Sequence, residues 1–191
     1  APLEVIVVDN GSGDETPDRL AEHDVRVITN DENLGFPRAA NQGIAAATGE
    51  FVCVLNNDTE VTRGWLSEML AVLEQPGVGM VGPRSNRVSG LQGVPNAPGI
   101  EEGEAAARWA RTWASGRRGE SWPATRLVGF CLLARRRLFE EIGGFDEGFG
   151  IGNFEDDELG DRVRRAGLAL RVADGSVVLH HGGASFAVME D

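Results

Sequence analysis

Short runs of apolar residues alternate with amphipathic stretches through the first half of the chain. Four runs have the length and composition of buried strands: 5–8, 25–28, 51–55 and 78–81. The stretches between them have helical spacing and predict three helices: 16–23, 38–47 and 65–73. Thr62 is expected to cap the third helix. This βαβαβαβ order predicts a doubly wound α/β sheet with right-handed crossovers.

The pattern changes after the fourth run. Residues 82–103 are rich in Gly, Pro, Ser and Asn without any period and predict a loop, as do residues 116–124 around Trp122. Regular structure is predicted elsewhere, with helices at 104–115, 135–142 and 157–166 and strands at 127–134, 168–172 and 177–179. A single α/β domain accounts for this pattern.

Composition narrows the chemistry. All 18 basic residues among the 191 are arginine, which excludes chemistry that depends on a P-loop lysine or a Schiff base. The net charge of −12 disfavours a nucleic acid as partner. The two cysteines, Cys53 and Cys131, are too few for a disulfide scaffold or a four-thiolate zinc site.

The termini and the apolar runs bear on location. No run approaches the roughly 18 apolar residues that cross a bilayer, so no membrane span is expected. The chain enters its first strand directly after Ala1-Pro2-Leu3 and does not begin with methionine, and we interpret it as a fragment of a longer protein. The expected location is cytoplasmic, at the inner face of the membrane in the full-length protein.

Polar residues follow three of the predicted strands. The segments are Asp9-Asn10-Gly11-Ser12, Asn30-Asp31-Glu32-Asn33 and Asn56-Asn57-Asp58. Ligands bind open α/β sheets at the carboxyl ends of the strands, so these segments predict a polar ligand site. We expect the strands at 5–8 and 51–55 to lie side by side, with Asp9 and Asp58 at the same edge.

Two residues at strand ends are candidate metal ligands. Asp58 offers the carboxylate that a hard divalent cation prefers, and the pair His180-His181 ends an apolar strand before Gly182-Gly183. We expect Asp58 and His180 to converge on one cation site.

Four consecutive carboxylates lie at the start of a predicted helix, at residues 155–158. Acidic residues favour a helix N-terminus, but four in a row exceed what the helix dipole requires. Their mutual repulsion is expected to raise at least one pKa, as a general base beside a cleft requires.

Taken together, these motifs resemble those of family 2 glycosyltransferases with the GT-A fold. The resemblance is closest to the bacterial rhamnosyltransferase-like branch that builds surface polysaccharides, and it extends from residue 4 to residue 186. Besides the segments above it rests on 32–36, 143–147, Glu155-Asp156, Arg165-Ala166-Gly167 and the spacing of His180, Gly182, Gly183 and Ser185.

The resemblance implies a Rossmann-like, mostly parallel sheet flanked by helices in one domain over residues 1–191. Residues 1–82 would form its nucleotide-binding half and residues 83–191 its acceptor-binding half. The implied reaction is an inverting transfer of a sugar from a nucleotide diphosphate sugar to a hydroxyl of a glycan or lipid-linked acceptor, with Mg²⁺ or Mn²⁺ as cofactor. The alternative is a catalytically inactive domain that binds sugar nucleotides.

The resemblance also assigns roles to individual residues. Asp156 matches the catalytic base, while Asp58 matches the metal-binding Asp of the family's Asp-x-Asp element and His180 the residue that completes the metal shell in some relatives. The donor would be held by Asp9 at its base, with Ser12, Asn33, Arg38 and Asn57.

Three departures from the family pattern affect these assignments. The family's first strand, central in its nucleotide-binding sheet, should precede residue 4 and is missing. Asn56 replaces the first Asp of Asp-x-Asp. Asp157-Glu158 stands where relatives often have an apolar residue followed by Asp, so Asp157 is an alternative base.

Overall fold

The computed structural model of the chain describes residues 3–151 and 153–182. Gly183 and Ser185, which belong to the last motif, lie outside the described residues. The strands are β1 (Ile6–Asn10), β2 (Arg26–Asn30), β3 (Phe51–Leu55), β4 (Thr59–Val61), β5 (Val78–Arg84), β6 (Ser121–Ala124), β7 (Cys131–Arg135) and β8 (Ala169–His180). The helices are α1 (Thr16–Ala21), α2 (Phe36–Ala46), α3 (Trp65–Leu73), α4 (Glu104–Ser115), α5 (Arg136–Ile142) and α6 (Glu155–Arg165).

The larger of two sheets has the strand order β3-β7-β5-β8-β4, and β6 pairs with β8 as well. β5 and β8 are parallel, whereas β7 is antiparallel to both β3 and β5. β4 and β6 are antiparallel to β8. The α/β class is confirmed, but antiparallel pairs outnumber parallel ones in the larger sheet, whereas a mostly parallel sheet was expected. β4 and β7 each follow the preceding strand through a loop without a helix, and such connections do not produce parallel neighbours.

β1 and β2 form a separate, parallel two-stranded sheet. The prediction that the strands at 5–8 and 51–55 lie side by side is therefore wrong as a statement of hydrogen-bonded pairing. Within the described residues β1 pairs only with β2 and β3 only with β7, so each keeps one unpaired edge. Helix α2 packs against both β1 and β3.

The larger sheet is buried on both faces. Along β7, Leu132 and Ala134 join one core cluster, while Cys131 and Leu133 join another on the opposite face. This alternation follows from the two-residue period of a strand. α2, α5 and α6 contribute to the first cluster and α3 to the second. None of the described helices has the length and apolar character needed to cross a membrane.

The last strand, β8, was predicted as two separate strands, 168–172 and 177–179, and Gly175 lies between them. Asp174-Gly175 reads as a turn in the sequence, yet β8 runs unbroken from Ala169 to His180. A Cβ at Gly175 would lie 2.6 Å from the carbonyl oxygen of Arg117, so this glycine permits a close backbone approach. The Asp174-Gly175 pair therefore allows the backbone near Arg117 to pack against β8, and the chain does not turn there.

Several boundaries differ from the predicted ones. β4 and β6 were not predicted, and the strand expected at 127–134 begins only at Cys131, after a loop at 127–130. α6 begins at Glu155, so all four carboxylates belong to its first turn. Thr62 does not cap α3, because its Oγ1 donates a hydrogen bond to the carbonyl of Val177 at 2.6 Å.

Candidate functional site

The loops that follow β1 and β2 are joined by side-chain amides. Asn10 Oδ1 accepts hydrogen bonds from Asn30 Nδ2 at 3.0 Å and from the backbone N–H of Leu34 at 3.1 Å. Asn10 Nδ2 donates to Asn33 Oδ1 at 2.9 Å. Asn30 and Gln42 exchange two hydrogen bonds of 2.8 Å. These bonds fix the two loops relative to each other, and we call them the amide network.

Of the donor-side candidates, Asp9 lies near the end of β1, Ser12 in the loop after β1 and Asn33 in the loop after β2. Asp9 is 4% exposed, and its Oδ1 accepts the N–H of Ser12 at 3.0 Å. Gly11 has φ +80°, and a Cβ there would lie 2.8 Å from the backbone of Glu32, so the loops touch at this glycine. Ser12 and Asn33 are exposed beside the buried Asp9.

The loop after β2 also reaches the segment that leads into α6. The N–H of Phe36 donates to the carbonyl of Ile151 at 3.1 Å. Gly35 has φ +85°, and a Cβ on it would lie 2.1 Å from the carbonyl oxygen of Gly150. The rim of the site is therefore continuous from the amide network to the acidic start of α6.

Asp58 and His180, 122 residues apart, are brought together by the pairing of β4 with the end of β8. A turn links β3 to β4, closed by a 2.7 Å hydrogen bond from Thr59 Oγ1 to the carbonyl of Asn56. Thr59 then lies opposite His180 in the β4–β8 register. Asp58 Oδ1 is consequently 3.1 Å from His180 Nε2, and both side chains are nearly buried. Asn57 is exposed in the turn between the strands.

The ring of His180 is fixed on every side. Its Nδ1 is 3.0 Å from the carbonyl oxygen of Arg87, and its backbone N–H donates to Asn86 Oδ1 at 2.8 Å. The ring stacks on Phe130 with centroids 5.0 Å apart. Since a carbonyl oxygen can only accept, Nδ1 carries a proton, and in the neutral ring Nε2 presents a lone pair to Asp58. A bound cation would turn the repulsion between these two acceptors, 3.1 Å apart, into attraction.

The donor chemistry of this pair fits a divalent cation. Two cis ligands of an octahedral Mg²⁺ at about 2.1 Å are roughly 3.0 Å apart, close to the observed separation of Asp58 Oδ1 and His180 Nε2. Among the described residues no cluster of three or more His, Cys, Asp or Glu side chains could hold a metal. Most coordination positions would therefore be left to water and substrate phosphates, as is usual for Mg²⁺.

Asp156 is held by backbone N–H groups. Its Oδ2 accepts the N–H of Gly129 and its Oδ1 accepts the N–H of Asp157, each at 2.8 Å. Asp157, the alternative base, instead forms an ion pair with Arg126, with 3.3 Å between Oδ1 and Nε. The two adjacent carboxylates thus have different surroundings.

Gly129 and Phe130 connect Asp156 to the Asp58–His180 pair. The N–H of Gly129 binds Asp156, while the carbonyl of Phe130 accepts the N–H of Asn56 at 2.9 Å and its ring stacks on His180. Sequence reasoning missed this dipeptide because it lies in an apolar run that predicted a strand. The glycine within that run is the one signal of a close backbone approach.

The raised pKa expected in the acidic run is found at Glu155. Burial raises the pKa of this carboxyl group, and the neighbouring charges of Asp156 and Asp157 raise it further. Glu155 Oε2 accepts the N–H of Asn153 at 2.5 Å, which ties the side chain back to the residues preceding α6.

The cationic residue beside the Asp58–His180 pair is Arg87, which was not singled out from the sequence. Its Nη1 donates to the carbonyl of His181 at 2.8 Å, in addition to the contact of its own carbonyl with His180. Arg38, predicted to help hold the donor, has its Nε 3.9 Å from Glu147 Oε2 and is exposed. Arg87 lies in the aperiodic segment 82–103, where spacing carries no signal.

Comparison with known proteins gives the family. The profile of glycosyl transferase family 2 matches residues 1–143, three quarters of the chain, and the chain therefore belongs to this family. The match includes Asp9 and Asp58 but ends before Asp156 and His180. This confirms the family suggested by the motifs.

Curated relatives extend the likeness over nearly the whole chain. An N-acetylglucosaminyl-diphospho-decaprenol L-rhamnosyltransferase of Mycobacterium tuberculosis is 32% identical over 206 residues, covering 94% of this chain and 67% of the relative. The O-antigen biosynthesis protein RfbC of Myxococcus xanthus is 30% identical over 205 residues, covering 96% of this chain and 15% of the relative. The chain thus spans from two thirds to about one seventh of these relatives.

Solved structures support the fold. A crystal structure of GalNAc-T7 with UDP, GalNAc and Mn²⁺ superimposes with a TM-score of 0.72 at 18% identity. It covers 93% of this chain and 37% of the neighbour. The expected GT-A fold is confirmed.

Proposed function

We propose that this domain transfers a sugar, with inversion at the anomeric carbon, from a nucleotide diphosphate sugar to a hydroxyl of a glycan or lipid-linked acceptor. The setting would be the synthesis of a surface polysaccharide or other glycan. Support comes from the family membership, from the rhamnosyltransferase relative with its diphospho-decaprenol substrate and from the neighbour with bound UDP. The observation that carries the proposal is the joining of Asp156 to the Asp58–His180 pair through Gly129 and Phe130.

Asp156 is proposed as the base. It removes the proton from the acceptor hydroxyl, whose oxygen bonds to the anomeric carbon while the bond from that carbon to the diphosphate oxygen breaks. The diphosphate leaves with the electron pair. A carboxylate held at fixed position by the N–H groups of Gly129 and Asp157 suits this role because proton transfer depends on geometry.

Asp58 and His180 are proposed to hold Mg²⁺ or Mn²⁺. When bound there, such an ion would stabilise the negative charge that develops on the leaving diphosphate. Support comes from the fit of the pair to a cation and from the Mn²⁺ in the structure of GalNAc-T7. Arg87 lies beside the pair and adds positive charge in a chain without lysine.

On the donor side, Asp9 is proposed to bind the nucleotide base, with Ser12, Asn33 and Asn57 nearby and Arg38 further along the rim. The amide network holds Asn33, and the hydrogen bond from the N–H of Ser12 to Asp9 Oδ1 joins the other two residues. Preorganised loops lower the entropic cost of binding.

The experiment that tests the proposal compares Asp156→Asn and Asp157→Asn in the full-length protein. For Asp156→Asn, sugar transfer should fall about 10²–10⁴-fold while the affinity for nucleoside diphosphate with Mn²⁺ and the melting temperature change little. Loss of transfer in Asp157→Asn alone would move the base by one residue. Transfer retained in both variants would remove the acidic run from the mechanism. Donor binding without turnover in the wild type would identify an inactive binding domain.

A further inference from the structure

Gln92 is a buried polar residue in the segment between β5 and α4, and none of the proposed roles involves it. The residue is 2% exposed. Its amide lies over β5 at Gly82, where a Cβ would come within 2.5 Å of Gln92 Nε2, so the absence of a side chain at Gly82 makes room for it. Burying an amide costs free energy unless its polar atoms find partners. The contacts of this side chain therefore show what it does.

One end of the amide has a partner and the other does not. Gln92 Oε1 accepts the backbone N–H of Val128 at 2.6 Å. Because a backbone N–H can only donate, this contact fixes which end of the amide faces the loop 127–130. Nε2 is buried and has no hydrogen-bond partner within the part of the chain that the structure describes. The bond to Val128 is therefore what the side chain contributes.

The backbone that carries Gln92 is itself anchored to the larger sheet. The carbonyl of Gln92 accepts the N–H of Ser85 at 2.8 Å, and the carbonyl of Ser85 accepts the N–H of Val94 at 3.0 Å. Ser85 directly follows the last residue of β5. Gln92 thus offers the loop 127–130 a fixed point that belongs to the sheet.

Val128 directly precedes the glycine that binds the proposed base. The N–H of Gly129 donates to Asp156 Oδ2 at 2.8 Å, and a Cβ on Gly129 would lie 3.3 Å from the Cβ of Asp156. Phe130 is anchored separately, because it is buried and its carbonyl accepts a backbone N–H from the turn after β3. On the other side of Gly129, the hydrogen bond from Val128 to Gln92 is what fixes the loop.

We infer that Gln92 is a positioning residue for the proposed base: by fixing Val128 it places the N–H of Gly129, which holds Asp156 where it can reach the acceptor hydroxyl. The inference rests on the proposed function and adds to it a residue that touches neither substrate. Proton transfer depends on geometry, and a displacement of about 1 Å is enough to slow a reaction strongly. Movement of the loop should therefore lower turnover and leave donor binding unchanged.

Two substitutions separate the hydrogen bond from the packing. Gln92→Met has a similar size and no side-chain oxygen, so it leaves the N–H of Val128 unpaired but also removes the unpaired Nε2. Gln92→Glu keeps an oxygen for Val128 and loses no hydrogen bond, although it buries a carboxyl group. Gln92→Met should therefore melt at the same or a higher temperature than Gln92→Glu, whereas positioning favours Gln92→Glu.

The test uses the full-length protein with Mn²⁺, a panel of UDP-, GDP- and dTDP-sugars as donors and methyl and octyl glycosides as acceptors. In Gln92→Met the kcat for transfer should fall about 10–100-fold while the KM for the donor stays within about twofold of the wild type. Gln92→Glu should keep kcat within about threefold of the wild type. Unchanged kcat in Gln92→Met would overturn the inference.

Val94→Ala is the matched control. Val94 is a buried residue of the same segment, 6% exposed, and its bond to Ser85 is made by the backbone. The variant should melt lower than the wild type because it leaves a cavity, but it should keep its kcat. If kcat follows the melting temperature across the three variants, Gln92 is merely structural and the inference is wrong.

Hydrogen exchange measured without substrate separates this inference from the proposed function. Exchange of the amides of Val128 and Gly129 should quicken by about fivefold or more in Gln92→Met and stay unchanged in Gln92→Glu and Val94→Ala. If the wild type turns over no donor, the proposed function fails, and this pattern still decides whether Gln92 fixes the loop. Equal exchange in Gln92→Met and the wild type would overturn the placement of Gly129 by Gln92, whatever the activity.

Discussion

The two ends of the site are built differently. Asp58 and His180 lie between strands of the larger sheet, nearly buried, with the ring of His180 fixed by Arg87, Asn86 and Phe130. Asp9 lies near the end of β1, and Ser12 and Asn33 lie on the loops of the two-stranded sheet, which are joined by hydrogen bonds between side-chain amides. The larger sheet therefore fixes the two proposed metal ligands through its core, whereas the position of the proposed donor-binding residues depends on a few polar side chains.

The largest expected effect tests whether the larger sheet is the stable unit. Asp174 on β8 is buried and forms ion pairs with Arg84 and Arg117, while Trp113 Nε1 donates to its carbonyl. Asp174→Ala would leave both guanidinium groups without their buried partner and should cost about 3–5 kcal/mol in the free energy of unfolding. Urea denaturation measures this. A loss below about 1 kcal/mol would mean that water replaces the carboxylate.

The next effect concerns the metal-side pair. Asp58→Ala should weaken the binding of nucleoside diphosphate with Mn²⁺ by about 100-fold, and His180→Ala by about tenfold, since water replaces one imidazole more readily than a carboxylate. Titration calorimetry with and without Mn²⁺ gives both values. The control is binding without metal, which should differ little among the variants. Equal affinity in Asp58→Ala and the wild type with Mn²⁺ would contradict the assignment.

On the donor side, Asn10→Ala should break the amide network. Four hydrogen bonds of Asn10 would be lost, but the loops are partly exposed, so the cost in stability should be only about 1–2 kcal/mol. Hydrogen exchange should quicken in β1, β2 and their loops and stay unchanged in β5 and β8. Uniform acceleration across both sheets would show that the two regions unfold as one unit.

The smallest effect is the pH dependence due to Glu155. Its pKa is raised in the folded state, so the native protein binds the proton more readily than the unfolded chain, and stability falls as pH rises through the folded pKa. Glu155→Gln keeps a side-chain oxygen that can accept the N–H of Asn153, and it removes the loss of stability with rising pH because the amide does not ionise. The variant should melt slightly higher than the wild type at pH 7, with the difference vanishing below the unfolded pKa. Calorimetric melting between pH 4 and pH 7 tests this; a wild type whose stability rises more steeply than that of the variant over this range would contradict it.

The sequence predicted those parts of the fold that depend on local pattern. Apolar runs located β1, β2, β3 and β5, because buried strands need a continuous apolar stretch. β4 was missed because three residues, Thr59–Val61, are too few to show a pattern, and β6 because Trp122-Pro123 looks like a loop. Pro123 is tolerated since β6 pairs only with β8 among the described residues.

The site was predictable as far as strand ends determine it. Asp58 and His180 were expected to converge because each follows an apolar strand, and the structure brings them within 3.1 Å. The contacts of Gly129, Phe130 and Arg87 could not be predicted, because they form where aperiodic loops meet residues that are distant in the sequence. Neighbouring strands of a sheet can be inferred from order and handedness, but loop-to-loop contacts depend on side-chain packing that carries no period.

The unpaired edges of β1 and β3 have a consequence for the domain in concentrated solution. Among the residues that the structure describes, these edges present N–H and C=O groups without a neighbouring strand, and Val5 and Leu55 add half-exposed apolar surface beside them. Unpaired strand edges can pair with the edges of other copies of the domain. The net charge of −12 on each copy opposes this through electrostatic repulsion. Added salt screens that repulsion at distances beyond about 8–10 Å. Self-association of the domain should therefore rise with ionic strength.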